Sequence, residues 1–180
     1  MASNRYRFVT NWTVEGDINV VAGLINQPEL LTLWWPSVYL KIEKKREGDR
    51  DEFYLFTKGW LPYTLKWHFH QTKAELPHRL ELAAAGDLEG YGIWTFRQDG
   101  PVVHVRYEWE VDANKPILRW LSFIFKPIFS FNHHWAMRKG EESLKLELAR
   151  MKSGQSRREA PKPPQANFGY GGYWERNLGT

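Results

Sequence analysis

Six histidines and no cysteine bound the chemistry open to this chain of 180 residues. Without a thiol there is no disulfide, no cysteine nucleophile and no Cys-ligated metal. His68 and His70 stand two apart in "YTLKWHFHQTKAE", and His104 and Glu108 share the segment "PVVHVRYEWEV". Three such ligands on neighbouring strands suit zinc. All four, however, lie on faces shared with Lys66 or Arg106, opposite rows of apolar residues. A solvated outer face is the reading that follows, and no metal or other cofactor is expected. His133 and His134 are adjacent in "FNHHW"; on a helix they point about 100° apart, so at most one faces an interior. Arg106, Glu108 and Glu110 would form an acid–base array only if the parity of their strand were inverted. The row Val103, Val105, Tyr107, Trp109 and Val111 argues against that. No Ser-His-Asp order, Gly-rich phosphate loop or paired-carboxylate spacing stands out, so no catalytic residue is assigned.

The elements that must position these residues are legible from periodicity. "RYRFVTNWTV" alternates Tyr6, Phe8 and Thr10 against Arg7, Val9 and Asn11, and reads as a first strand. Asp17 offers an N-cap for the short helix "INVVAGLIN", and Pro28 opens a further helical turn that Pro36 should end. From residue 37 to about Val111 strand follows strand, separated by Gly-Asp, Asp-Gly and Pro signals typical of hairpins. Tyr63, Leu65, Trp67 and Phe69 oppose Thr64, Lys66, His68 and His70: one side apolar, the other in water.

A long helix then runs from about Asn114 to Met151. In its first half, "ILRWLSFIFKPIFSFNHHW", the polar residues Arg119, Ser122, Lys126 and Ser130 form one narrow stripe on an otherwise apolar cylinder. Two charges inside the window argue against a membrane span; a curved sheet wrapping the helix fits better, with a peripheral membrane contact as the alternative. Pro127 should bend it. In the second half Ala136, Gly140, Leu144, Leu148 and Met151 keep a seam, while Arg138, Lys139, Glu141, Glu142, Lys145, Glu147 and Arg150 read as solvated.

Composition narrows the partners. Most of the net charge of +4 comes from residues 151–180, where Lys152, Arg157, Arg158, Lys162 and Arg176 outnumber Glu159 and Glu175. The rest of the chain is close to neutral, so no groove for phosphates and no nucleic acid is expected. Residues 1–151 read as one domain and 152–180 as a flexible Pro/Gly-rich basic tail, its aromatics able to dock on the domain or on a partner. The start, "MASNRYRFVTNWTVEGD", has no apolar run of signal-peptide length, which points to a cytoplasmic protein. Ten Trp, ten Phe and eight Tyr point to an interior lined with rings, which suits a pocket as well as a bulky core. Nothing bears on oligomeric state.

Strand, two short helices, six strands and one long C-terminal helix, with "WTVEGDINVVAGLINQPELLTLWWPSV", "YGIWTF", "HVRYEWEV" and "NHHWAMRKGEESLKLEL", resemble the START-like helix-grip (SRPBCC) superfamily, nearest its polyketide cyclase/dehydrase and lipid-transport group. The resemblance covers roughly residues 5–150. It implies an α+β helix-grip fold, a curved antiparallel sheet of about seven strands around the helix, with a cavity for an apolar small molecule between them. The function expected is binding or carriage of a hydrophobic small molecule, lipid or polyketide-like, with a cyclase or dehydratase acting on a polyketide-like substrate in the same cavity as the alternative. On this reading Trp67, Phe69, Trp94, Tyr107 and Trp109 from the sheet and Leu121, Phe125, Phe129 and Asn132 from the helix wall the cavity. Trp35 and Tyr39 would lie near its mouth. Asn132 would meet a ligand head group or, equally, a backbone carbonyl freed by Pro127.

Overall fold

Alternating inward rows of Val, Trp and Tyr give the chain one large sheet with a buried face. The computed structural model describes residues 5–113 and 122–179. Strand β1 (Arg5–Glu15) leads into helix α1 (Ile18–Ile25), a 3-10 turn (Pro28–Leu30) and helix α2 (Leu31–Trp34). Asp17 caps α1 by accepting from the Asn19 N–H at 2.8 Å. Strands β2 (Tyr39–Glu47), β3 (Arg50–Lys58), β4 (Thr64–Glu75), β5 (Arg79–Gly86), β6 (Leu88–Asp99) and β7 (Val102–Ala113) follow as a meander. The sheet order is β1-β7-β6-β5-β4-β3-β2, antiparallel throughout, so β1 and β2 form its two edges. Helix α3 (Ser122–Ser153), with Pro127 inside it, packs against the concave face of this curved sheet. This is the expected α+β helix-grip architecture.

Strand parity is as read from the alternation. Val103, Val105, Tyr107, Trp109 and Val111 are buried, while Arg106 is exposed on the other side. On the outer face His104 sits 3.4 Å from Thr13 Oγ1 and 3.6 Å from Asp99. His68 and His70 are outward too, yet they are not simply solvated. Both lean on a buried carboxylate, Glu52: His68 Nδ1 lies 2.7 Å and His70 Nδ1 3.4 Å from its oxygens, with Arg50 Nε at 3.2 Å. Burial pushes this carboxyl up, but the His68 hydrogen bond and the charges of His70 and Arg50 outweigh it and hold Glu52 below its ordinary value.

Two expectations for α3 need correction. Met151 is exposed rather than in the seam, because the seam ends one turn earlier at Leu148. Glu147 is buried rather than solvated, because residues beyond the helix fold back over it. Arg150 grips it with two hydrogen bonds, 2.8 and 2.9 Å, and Arg157 adds a third of 2.6 Å. The stripe residues Arg119, Ser122 and Lys126 lie outside the described residues or side chains.

The segment after α3 is laid against the domain, one of the two placements its aromatics allowed. Trp174, in the short helix α4 (Gly172–Asn177), is buried and donates its indole N–H to Leu33 O at 2.8 Å. Asn177 donates to Leu40 O at 3.1 Å. Tyr170 and Tyr173 stand beside Phe56 on the outer side of β3. Irregular Pro/Gly-rich chain leaves no period to read, but large rings remove apolar area from water when they dock.

Candidate apolar cavity

A cavity of about 140 Å³ lies between the sheet and α3. Because β1, β4 and β7 each turn alternate residues inward, its sheet side is made by Tyr6 and Phe8, by Leu65 and Trp67, and by Tyr107, Trp109 and Val111. The helix contributes Phe129, Asn132, His133, Ala136 and Met137, which recur at three- and four-residue spacing along one face. Thr57, Lys58, Gly59 and Tyr63 close the end where β3 passes into β4.

Of the residues expected to wall a cavity, Trp35, Tyr39, Trp67, Tyr107, Trp109, Phe129 and Asn132 are brought together here. Phe69 and Trp94 are not. They line a smaller space of about 40 Å³ on the far side of Tyr107, whose ring Trp94 stacks on at 3.9 Å. Leu121 lies outside the described residues, as does the side chain of Phe125. Trp35 is deep wall rather than rim: it is 2% exposed and touches the rings of Trp12, Trp34 and Tyr39. Asn132 lies in the wall with its carboxamide tied to the stretch after β3. Its Oδ1 accepts from the Leu61 N–H at 3.0 Å, and the carboxamide lies so close over Gly59 that a Cβ there would stand 2.3 Å from that oxygen.

Sequence reasoning passed over Tyr6, Phe8, Tyr63 and Leu65, although parity already put them on the inner face. It also passed over His133, which lies in the cavity wall, while His134 turns out and donates to Ser130 O. The ring of His133 stacks on Phe8 at 4.0 Å, and its Nε2 is 3.5 Å from Thr10 Oγ1. Burial, helped by His134 next to it, lowers its pKa to about 3. Burial likewise pushes the phenols of Tyr6, Tyr39, Tyr63 and Tyr107 above their ordinary value. Burial thus biases these groups toward their uncharged forms, and it works in the same direction on Lys58.

The histidine makes stability depend on pH. Its ordinary value is 6.5 and its folded value about 3, so between the two the unfolded chain holds the extra proton. Stability therefore falls as pH drops through 6.5, and keeps falling until about 3. From pH 7.5 to 5.5 this interaction should cost the wild type about 1 kcal/mol that His133→Phe does not lose. Urea unfolding of both proteins at the two pH values checks it; an unchanging difference would mean that water reaches the imidazole.

No protein-family model matches the sequence, and no curated protein matches it. Solved structures do match the fold. A protein from Thermus thermophilus is similar with a TM-score of 0.63 at 17% identity, over 84% of this chain and 100% of the other. The Zhui aromatase/cyclase from a Streptomyces species gives 0.68 at 10% identity, over 82% and 96%. A START superfamily protein from Mycobacterium smegmatis gives 0.62 at 10%, over 81% and 98%. The chain has the START-like helix-grip fold. Among the described residues no helix is long and apolar enough to cross a membrane.

Proposed function

We propose that this helix-grip chain binds and carries a neutral, apolar small molecule in the cavity between sheet and α3. The observation that carries the reading is the lining itself: rings and aliphatics, with four phenols and an imidazole biased toward their uncharged forms. Apart from Lys58, whose ammonium is already bonded to three protein oxygens, a carboxylate or phosphate buried here would find no counter-charge in the described lining, so a charged end of the ligand stays outside. Volume sets the scale. About 140 Å³ is close to the size of an engineered cavity that takes benzene, and below the roughly 300–1,000 Å³ of drug-sized sites. One ring fits as the walls stand. A longer lipid or polyketide-like body needs Trp94 and Tyr107 to part and join the smaller space behind them. Burying one ring of about 200 Å² gains about 5 kcal/mol before the costs of association.

The test is to fill the space. Ala136 lines it from the helix, where a larger aliphatic residue is compatible with helical backbone. Fluorobenzene, followed by fluorine NMR, should bind the wild type and bind Ala136→Leu at least about tenfold more weakly, with the unfolding midpoint little changed. Native mass spectrometry and extraction of protein taken from cells would then identify the natural ligand. Absence of both fluorobenzene binding and a copurified molecule overturns the reading.

His133 supports a second reading, a cyclase/dehydratase-type enzyme. His133 is the imidazole in the described wall that could exchange a proton with a bound substrate, but the burial that keeps it neutral also makes it a weak base, so this reading rests on its position. The similar fold of a Streptomyces protein named as an aromatase/cyclase is compatible with this reading. Turnover of a polyketide-like substrate by the wild type and not by His133→Phe would favour it over simple carriage. A peripheral membrane contact draws support from Trp60 and Phe131, which are 42% and 50% exposed and touch edge to face. Flotation with lipid vesicles tests that contact.

A further inference from the structure

The connection Gly59–Tyr63 between β3 and β4 has neither helical nor strand structure, yet Gly59 and Tyr63 line the cavity. Side chains tie it at several backbone groups. Lys58 Nζ donates to Gly59 O at 3.0 Å and to Leu61 O at 2.9 Å. Asn132 takes the Leu61 N–H, and Asn167 Nδ2 donates to Trp60 O at 3.0 Å. Asn167 therefore grips the connection directly, from the segment that follows α3.

Lys58 binds the two together. It is 1% exposed, and its third N–H goes to Asn167 Oδ1. Three oxygens that can only accept require all three ammonium protons, so the side chain is held charged although burial works against the charge. The rings of Phe168 and Tyr170 cover the ammonium at 5.0 and 5.7 Å. Phe168 reaches this position with φ of 51°, in the left-handed region that disfavours residues other than glycine. Further along, the same segment is anchored through Trp174 to Leu33 O and through Asn177 to Leu40 O.

We propose that residues 160–177 form a strap that governs uptake into the cavity: docked on Lys58 it holds the Gly59–Tyr63 wall closed, and lifted it lets that wall open. The rest of the described wall is ladder-bonded strand, helix, or the turn at Trp35–Val38 that Lys58 N pins through Val38 O at 3.0 Å. The inference rests on the cavity being a ligand site, and it adds where and by what the site opens.

Asn167→Ala removes the strap's grip without disturbing the sheet, and Lys58→Met, similar in length and uncharged, removes the ammonium. In both, amide hydrogen exchange at Trp60, Leu61 and Tyr63 should be at least about tenfold faster, with the amides of β1 and β7 unchanged as the control for folding. The association and dissociation rates of fluorobenzene, read from fluorine line shapes, should rise together with it. Wild-type exchange at the connection in both variants overturns the strap. So does accelerated exchange with wild-type fluorobenzene rates, since the wall would then not be the entrance. If exchange accelerates but neither the wild type nor any variant binds fluorobenzene, the ligand reading falls and takes the gating role with it.

Discussion

Glu147→Ala is expected to lower the unfolding free energy by about 3–5 kcal/mol, a large share of the stability of a domain of this size. The carboxylate is 5% exposed and meets two guanidiniums, Arg150 through a fork of two bonds and Arg157 through one. Burial already lowers the pKa of Arg157, with Arg150 adding to the effect, and its Nε lies buried without a partner among the described residues. Removing Glu147 leaves two cations facing each other with no counter-charge, which costs far more than the pair contributes when intact. Replacing the whole cluster with apolar residues of similar volume should be close to neutral. Urea titration of the single variant and of the triple apolar variant separates the two cases. A loss below about 1 kcal/mol in Glu147→Ala would mean that the arginines rehydrate.

Gly140→Ala should destabilise by about 2 kcal/mol, although helix propensity alone forecasts a gain of about 1 kcal/mol. The opposing term is contact. A Cβ at this position would stand 2.3 Å from Trp35 Cζ2 and 2.5 Å from Cε2. The indole is held by ring contacts with Trp12, Trp34 and Tyr39, so any shift away from the new methyl loses some of them. Trimming the obstacle should restore what the methyl removes: Gly140→Ala combined with Trp35→Phe is expected to be less destabilised than the sum of the single changes. Thermal unfolding of the four proteins measures the coupling, and simple additivity would show that the helix shifts to make room.

Much of the architecture was open to reading because it is periodic. Leu65, Trp67 and Phe69 face inward for the same reason that Lys66 faces out, and the β7 row obeys the same rule. Period two settles which face, but not which part of the face. Trp67 and Trp109 line the cavity while Phe69 and Trp94 line the smaller space beyond Tyr107, a division set by sheet curvature and ring stacking across strands. The helix seam was legible through Leu144 and Leu148; Glu147 was misread because its partner Arg157 comes from outside the helix. Lys58 and Asn167 are 109 residues apart, and nothing in local spacing joins them. Only the surplus of rings in "FGYGGYW" hinted that this stretch had a place to go.

The open sheet gives the same stretch a second consequence, for colloidal behaviour. As the last strand in the order, β2 offers backbone groups that another chain could pair with. Its two halves are guarded differently. Lys41, Lys44, Lys45 and Arg46 crowd the later part with exposed charge, and at the start Asn177 occupies the carbonyl of Leu40, where the pairing with β3 is irregular. The segment that closes over Lys58 thus also ends, at Asn177, where a neighbouring copy would otherwise add a strand, so losing it would leave that edge as a template.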